Sequence, residues 1–159
     1  LFSVIAFYID ASLGAWWQLT IEGWFSDDAA YLNALGLPEE VENLEEDLVL
    51  GNIGLFAGIL FILGSILVMV AAYQENKGLA ILFSILMVAG LGLYIYGLSA
   101  WEDYEDYLSV LSFFTNEEYN VFFGSAEVGG IEAAWRLGNG FFIGTAGTII
   151  ALIGSAKIE

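Results

Sequence analysis

Carboxylates are the densest chemistry in this chain. Asp27 and Asp28 form one acidic cluster, Glu45, Glu46 and Asp47 a second, and Glu102, Asp103, Glu105 and Asp106 a third. Such clusters suit Ca²⁺, which takes about six to eight oxygen ligands. None has the spacing of a calcium loop, with its turn glycine and distal bidentate glutamate. They read as a solvated acidic surface, with weak divalent-cation binding as the alternative. Paired carboxylates can also serve as general acid and base, but these lie among polar loop residues with plenty of water and no partner base. The chain has no histidine and no cysteine. The commonest general base, the commonest metal ligand and the thiolate nucleophile are therefore all missing. The glycines fall inside apolar runs rather than in a phosphate loop after a strand. No catalytic residue, cofactor site or metal site is assigned, and the chain reads as a non-enzyme.

Two further charges stand apart. Asp10 and Arg136 flank apolar runs and can form an ion pair at a membrane interface. Alternatively, Arg136 snorkels to the headgroups. Aromatic residues supply the remaining candidates for contact. Trp16, Trp17 and Trp24 crowd the stretch GAWWQLTIEGWFSDD, and two phenylalanine pairs, Phe113–Phe114 and Phe122–Phe123, lie in the second polar region. A tryptophan doublet between an apolar run and aspartates marks the depth at which a helix leaves the bilayer. A ligand-binding aromatic site is the other reading. The phenylalanine pairs want either a partner or a small core of their own.

The elements that position these groups are set by an unusual composition. Of 159 residues, 58% are hydrophobic and 14% charged, whereas soluble domains average about 45–50% and about 25%. Three uncharged runs are long enough to cross a hydrocarbon layer of about 30 Å: Leu48–Tyr73, Leu79–Ala100 and Leu137–Ala156. The opening run, Leu1–Ile9, covers about half a bilayer before Asp10. It is read as the outer part of a first span, residues 1–15, whose inner part is not in the sequence. The expected fold is an all-α membrane protein, a four-transmembrane-helix bundle carrying a small external cap. The whole chain, 1–159, forms one membrane domain, with external loops at 16–47 and 101–136.

Within the cap, Trp17, Leu19 and Ile21 alternate with Gln18, Thr20 and Glu22, which is the period of a half-buried strand. A helix is the alternative there, since Trp17, Ile21, Trp24 and Phe25 also share a helical face. Tyr119–Ala126 is a second strand candidate, and the two can pair into a short β-sheet. Pro38 followed by Glu39, Glu40 and Glu42 predicts a helix N-terminus. Trp101–Phe114 predicts a helical extension of the third span. Small residues recur along two spans, with Gly54 and Gly58 in one and Gly140, Gly144 and Gly147 in the other, and predict close helix packing.

Charge sets the expected orientation. Lys77 lies in the short turn QENKG, and Lys157 follows the last span. Basic residues favour the cytoplasm, so both chain ends are expected inside and the two long loops outside. Those loops hold nine and eight acidic residues respectively. A net charge of −17 argues against nucleic acid, which needs clustered Lys and Arg. The expected partners are the lipid bilayer and other membrane or cell-surface proteins, copies of itself included.

The layout of short inner loop, long first outer loop and strand-like tryptophan-rich stretch resembles the claudin/PMP22-like tetraspan proteins. Trp16, Trp17, Gly23 and Trp24 are similar to that family's Trp/Gly-Leu-Trp region, and Gly129–Gly140 to its entry into the last span. The family's cysteine pair has no counterpart here. The resemblance implies a membrane-organising, adhesive or barrier-type role. The leading expectation is a tetraspan protein that mediates protein–protein contact as a self-assembling surface component or accessory subunit. Its rival is a cation-attracting pore with an acidic outer vestibule.

Overall fold

The computed structural model describes residues 15–22, 27–35, 37–41, 50–101, 104, 108, 109, 112, 113, 115 and 119–158. Among them are three long helices: α1 (Gly51–Tyr73), α2 (Lys77–Ser99) and α3 (Asn139–Ala156). All three are long and apolar enough to cross a membrane. At about 1.5 Å per residue they extend roughly 27–35 Å, matching the hydrocarbon layer. Their outward faces carry large apolar side chains, including Phe56, Leu63, Ile85, Ile150 and Ile153, as lipid contact requires.

Helices α1 and α2 form a hairpin closed by Gln74–Asn76. Glu75 takes a left-handed φ of 54° to make the turn, and Asn76 Oδ1 accepts the Leu79 N–H at 3.1 Å. Glycines bring the two backbones together. A Cβ on Gly64 would press into Met87, and one on Gly90 into the backbone of Ala57 and Phe61. Helix α3 packs on α2 and barely touches α1. Its C-terminal end is tied to α2 by a buried contact of 3.1 Å between the hydroxyls of Ser84 and Ser155. The Ser84 hydroxyl already donates to Ala80 O, so Ser155 donates across the interface.

The remaining elements make a five-stranded antiparallel sheet in the order β3-β2-β1-β5-β4. These are β1 (Trp17–Glu22), β2 (Asp27–Leu32), β3 (Pro38–Val41), β4 (Phe123–Val128) and β5 (Ile131–Leu137). Strand β1 pairs with β2 on one side and β5 on the other, with Trp17 opposite both Leu32 and Leu137. The apolar row Trp17, Leu19, Leu32, Ala126 and Trp135 is buried and packs with Trp101, Tyr104 and Leu108. The described residues between 104 and 115 are helical; Tyr104, Leu108, Ser112 and Thr115 recur at the spacing of one helix face.

This architecture overturns the all-α four-helix bundle: the described residues hold three span-length helices and a sheet drawn from both polar regions. Residues 1–14 of the expected first span lie outside the described residues, and Ala15 is not helical. The observed spans sit within a few residues of the expected 48–73, 79–100 and 137–156. The last begins later because Leu137 still pairs with Trp17 in the sheet. Pro38 opens strand β3 instead of a helix. A proline lacks the donor a ladder needs and is tolerated at the first residue of an edge strand. The alternation in Trp17–Glu22 does mark a strand. The second strand runs over Phe123–Val128 and does not meet β1, because β5 lies between them.

Candidate interaction site at the sheet and its junction with the helices

The tryptophan doublet is the joint between sheet and helices. Trp16 is buried, with ring centroids 4.9 Å from Phe61, 4.9 Å from Tyr94 and 5.6 Å from Phe141, all in edge-on geometry. It therefore touches one aromatic from each of the three helices. Trp17, one residue on, points into the sheet core, and its Nε1 donates to Val121 O at 2.8 Å. The expected placement of both rings among headgroups is corrected: their apolar faces find better cover in protein than at the interface. Trp24 lies outside the described residues.

A turn after β2 makes a second plug. Asn33 Oδ1 accepts the N–H groups of Leu35 and Leu37, at 2.8 and 3.2 Å. The folded turn lays Ala34 O on Gly58 of α1 so closely that a Cβ there would collide with it. Tyr94 OH donates to Asn33 O at 3.4 Å. Thus Gly58, expected to pack against a helix, receives a loop. Gly144 lies under the rings of Phe61 and Trp16, while a Cβ on Gly147 would meet open space. Gly54 and Gly140 are buried, and Gly140 N–H donates to Ala15 O at 2.8 Å.

Segment 119–122 is fixed by two indoles. Trp17 takes Val121 O, and Trp135 Nε1 donates to Asn120 O at 2.6 Å. Asn120 Oδ1 accepts the N–H groups of Phe122 and Phe123. Sequence reasoning missed Asn120, Trp135 and Gly124, whose absent side chain leaves room for the Trp135 ring. Trp101 differs from the other two. Its Nε1 is buried, with no hydrogen-bond partner among the described residues, a condition that costs about 1–3 kcal/mol.

The outer face of the sheet is polar. Arg136 stands between Gln18 and Phe123 in register. With the Gln18 amide oriented to satisfy both groups, its oxygen accepts from Arg136 Nε at 2.6 Å and from a terminal guanidinium nitrogen at 3.0 Å. Asp10, the expected ion-pair partner, lies outside the described residues. At the far end of the strands the register sets Glu127 opposite Glu132, Glu132 opposite Glu22, and Glu22 opposite Asp27. Like charges directly opposed weaken a sheet.

Of the phenylalanine pairs, Phe113 is 80% exposed and Phe123 67% exposed. Phe122 is half-buried against the core, and Phe114 is outside the described residues. The clusters at 45–47 and at 102, 103, 105 and 106 are outside them too. Among the described residues no three carboxylates converge on a metal-sized site.

Strand β4 forms one edge of the sheet. Val128 and Ile131 flank the two-residue turn Gly129–Gly130, whose φ angles of 63° and 86° suit a tight hairpin. Backbone bonds to β5 then fall at 128, 126 and 124, in phase with Leu137 N–H donating to Phe122 O. The backbone groups of Phe123, Ser125 and Glu127 turn outward. Asn120 caps the Phe123 N–H; those of Ser125 and Glu127 have no partner among the described residues. No family model and no curated protein matches the chain.

Proposed function

We propose that this chain is a non-enzymatic integral membrane protein whose sheet mediates protein–protein contact, as a self-assembling component or an accessory subunit of a membrane complex. The open edge of β4 carries the reading. Unpaired strand edges template pairing with other chains, and proteins that do not use them blunt them with proline, lysine or a bulge. The opposite edge follows that rule: β3 is four residues long, opens on Pro38, and its pairing with β2 shifts register at Tyr31 and Leu32. Strand β4 has no proline, no lysine and no bulge. Beside it, Phe123 offers apolar area next to Arg136. The resemblance to claudin/PMP22-like proteins points to the same class of role.

The connections put Lys77 and Lys157 at the helix ends away from the sheet, with the Ser84–Ser155 contact bringing those ends together. Under the positive-inside rule, the sheet then faces the extracytoplasmic side.

Replacement of Ser125 by proline removes an outward N–H and leaves every bond to β5 in place. Together with Phe123→Ala it is expected to dissolve assemblies in mild detergent, read by native mass spectrometry, while the thermal melt holds. Assemblies that survive both changes would refute the reading. The row of opposed carboxylates favours a second function, an acidic vestibule that gathers cations. Conductance in reconstituted bilayers that ignores neutralisation of Glu22, Glu127 and Glu132 would remove it.

A further inference from the structure

The sheet meets the helices by one end only. Trp17, Leu32, Pro38, Phe123 and Leu137 lie at that end of their strands in register. There Gly138 N–H donates to Trp16 O just before α3 begins, and Ala34 rests on Gly58 of α1. Glu22, Asp27, Val128 and Ile131 lie at the other end, so the strands run outward from the helix layer. On the open edge, the backbone groups of Phe123, Ser125 and Glu127 turn away from β5, and all three residues are exposed. A head-to-tail ribbon, with β4 laid on β3 of the next copy, meets Pro38 and a shifted register. The remaining way to pair the edge with this same chain is β4 against β4.

Symmetry then sets the direction of approach, because a closed dimer uses the same patch on both chains. Parallel copies in register would oppose Ser125 to Ser125 with slanted bonds that fall on residues 124 and 126, whose groups already serve β5. Antiparallel copies meet no such conflict. Ser125 exchanges both backbone bonds with the partner's Ser125, and Glu127 N–H donates to the partner's Phe123 O. The Phe123 N–H stays with Asn120 Oδ1. Charge selects this register over its neighbours. Directly opposed side chains share a face, so the row Asp27, Glu22, Glu132 and Glu127 continues into the partner's Phe123 and then the partner's Arg136. Arg136 is the sole basic residue of the five strands. Sliding Ser125 to face the partner's Glu127 instead sets two glutamates on a diagonal about 7–8 Å apart. We infer that β4 pairs two copies of this chain antiparallel about Ser125, with their helices at opposite ends of one joined sheet and therefore in two apposed membranes. The inference rests on the contact role proposed above and names the partner.

The chain has no cysteine of its own, so single replacements can report the seam. Cα atoms of a bonded antiparallel pair lie about 5.5 Å apart, within the roughly 4.4–6.8 Å that a disulfide spans. Full-length Phe123→Cys and Glu127→Cys proteins are reconstituted in separate populations of phosphatidylcholine vesicles, mixed, and oxidised with copper–phenanthroline. Linked dimer is expected at about tenfold the yield of either population alone, with clustering of the mixed vesicles in light scattering. Ser125→Cys is expected to link to itself in detergent. Each variant replaces an exposed side chain and is expected to melt with the wild type. Links that form in detergent or within one population, but never between populations, overturn the apposed arrangement. Linking of Ser125→Cys to Glu127→Cys in place of the expected pair overturns the register. Assemblies that persist in native mass spectrometry with no link at any of the three positions overturn this inference alone. Monomers throughout, wild type included, overturn it together with the contact role.

Discussion

Gly124 shows how much one absent methyl group does in this protein. The Trp135 ring crosses directly over it, held there by the bond from Nε1 to Asn120 O and by Tyr119 edge-on at 5.5 Å. The indole cannot retreat without breaking that bond. Gly124→Ala is therefore expected to destabilise the sheet by about 1–3 kcal/mol, the usual cost of overpacking, seen as a lower melting temperature in near-ultraviolet circular dichroism. Glu132 predicts the opposite sign. It stands opposite Glu127 on one side and Glu22 on the other, so Glu132→Gln relieves two like-charge pairs. Each such pair is worth roughly 0.2–1 kcal/mol. The variant is expected to melt higher than wild type at low salt, and the gain should vanish at about 1 M salt, where the screening length falls to about 3 Å.

At the scale of elements, hydropathy made some features plain and local geometry hid others. The three long helices were legible because an uncharged stretch of that length is long and apolar enough to cross a bilayer. Strand β1 was legible because Trp17 and Leu19 alternate with Gln18 and Thr20. Strand β5 was not, since Ala133 and Ala134 sit side by side and blur the alternation in IEAAWRL. Its available signal was the pair Gly129–Gly130 ahead of it, which fits a two-residue hairpin. Pro38 misled because a proline followed by acids suits a helix start and an edge strand alike, and only pairing with β2 decides between them. The tryptophan doublet misled for a related reason: a ring that suits headgroups also suits a gap among Phe61, Tyr94 and Phe141. The hairpin turn makes its own prediction. Gly130 has a φ of 86°, a region that costs a side chain about 1–2 kcal/mol. Gly130→Val is expected to destabilise the fold by that margin, seen as a lower melting temperature with the native helical signal unchanged before the transition.

Taken whole, the molecule is two layers locked by interpenetration. Trp16 and the turn residues Ala34 and Leu35 reach in among the helices, and Gly144 and Gly58 yield the space they fill. Sheet and helices should consequently unfold in one transition, with far- and near-ultraviolet signals coinciding. Trp16→Ala removes the ring shared by all three helices and is expected to cost about 3–5 kcal/mol and to separate the two transitions. Coincident curves in that variant would show that the joint lies elsewhere.

Strand β5 runs into α3 through Gly138 alone, and that residue is wedged against Ala15 with its N–H bonded to Trp16 O at 2.9 Å. Such a splice has no slack. A pull on the β4–β5 hairpin would load α3 at once, because no loose residue lies between them to take up the strain.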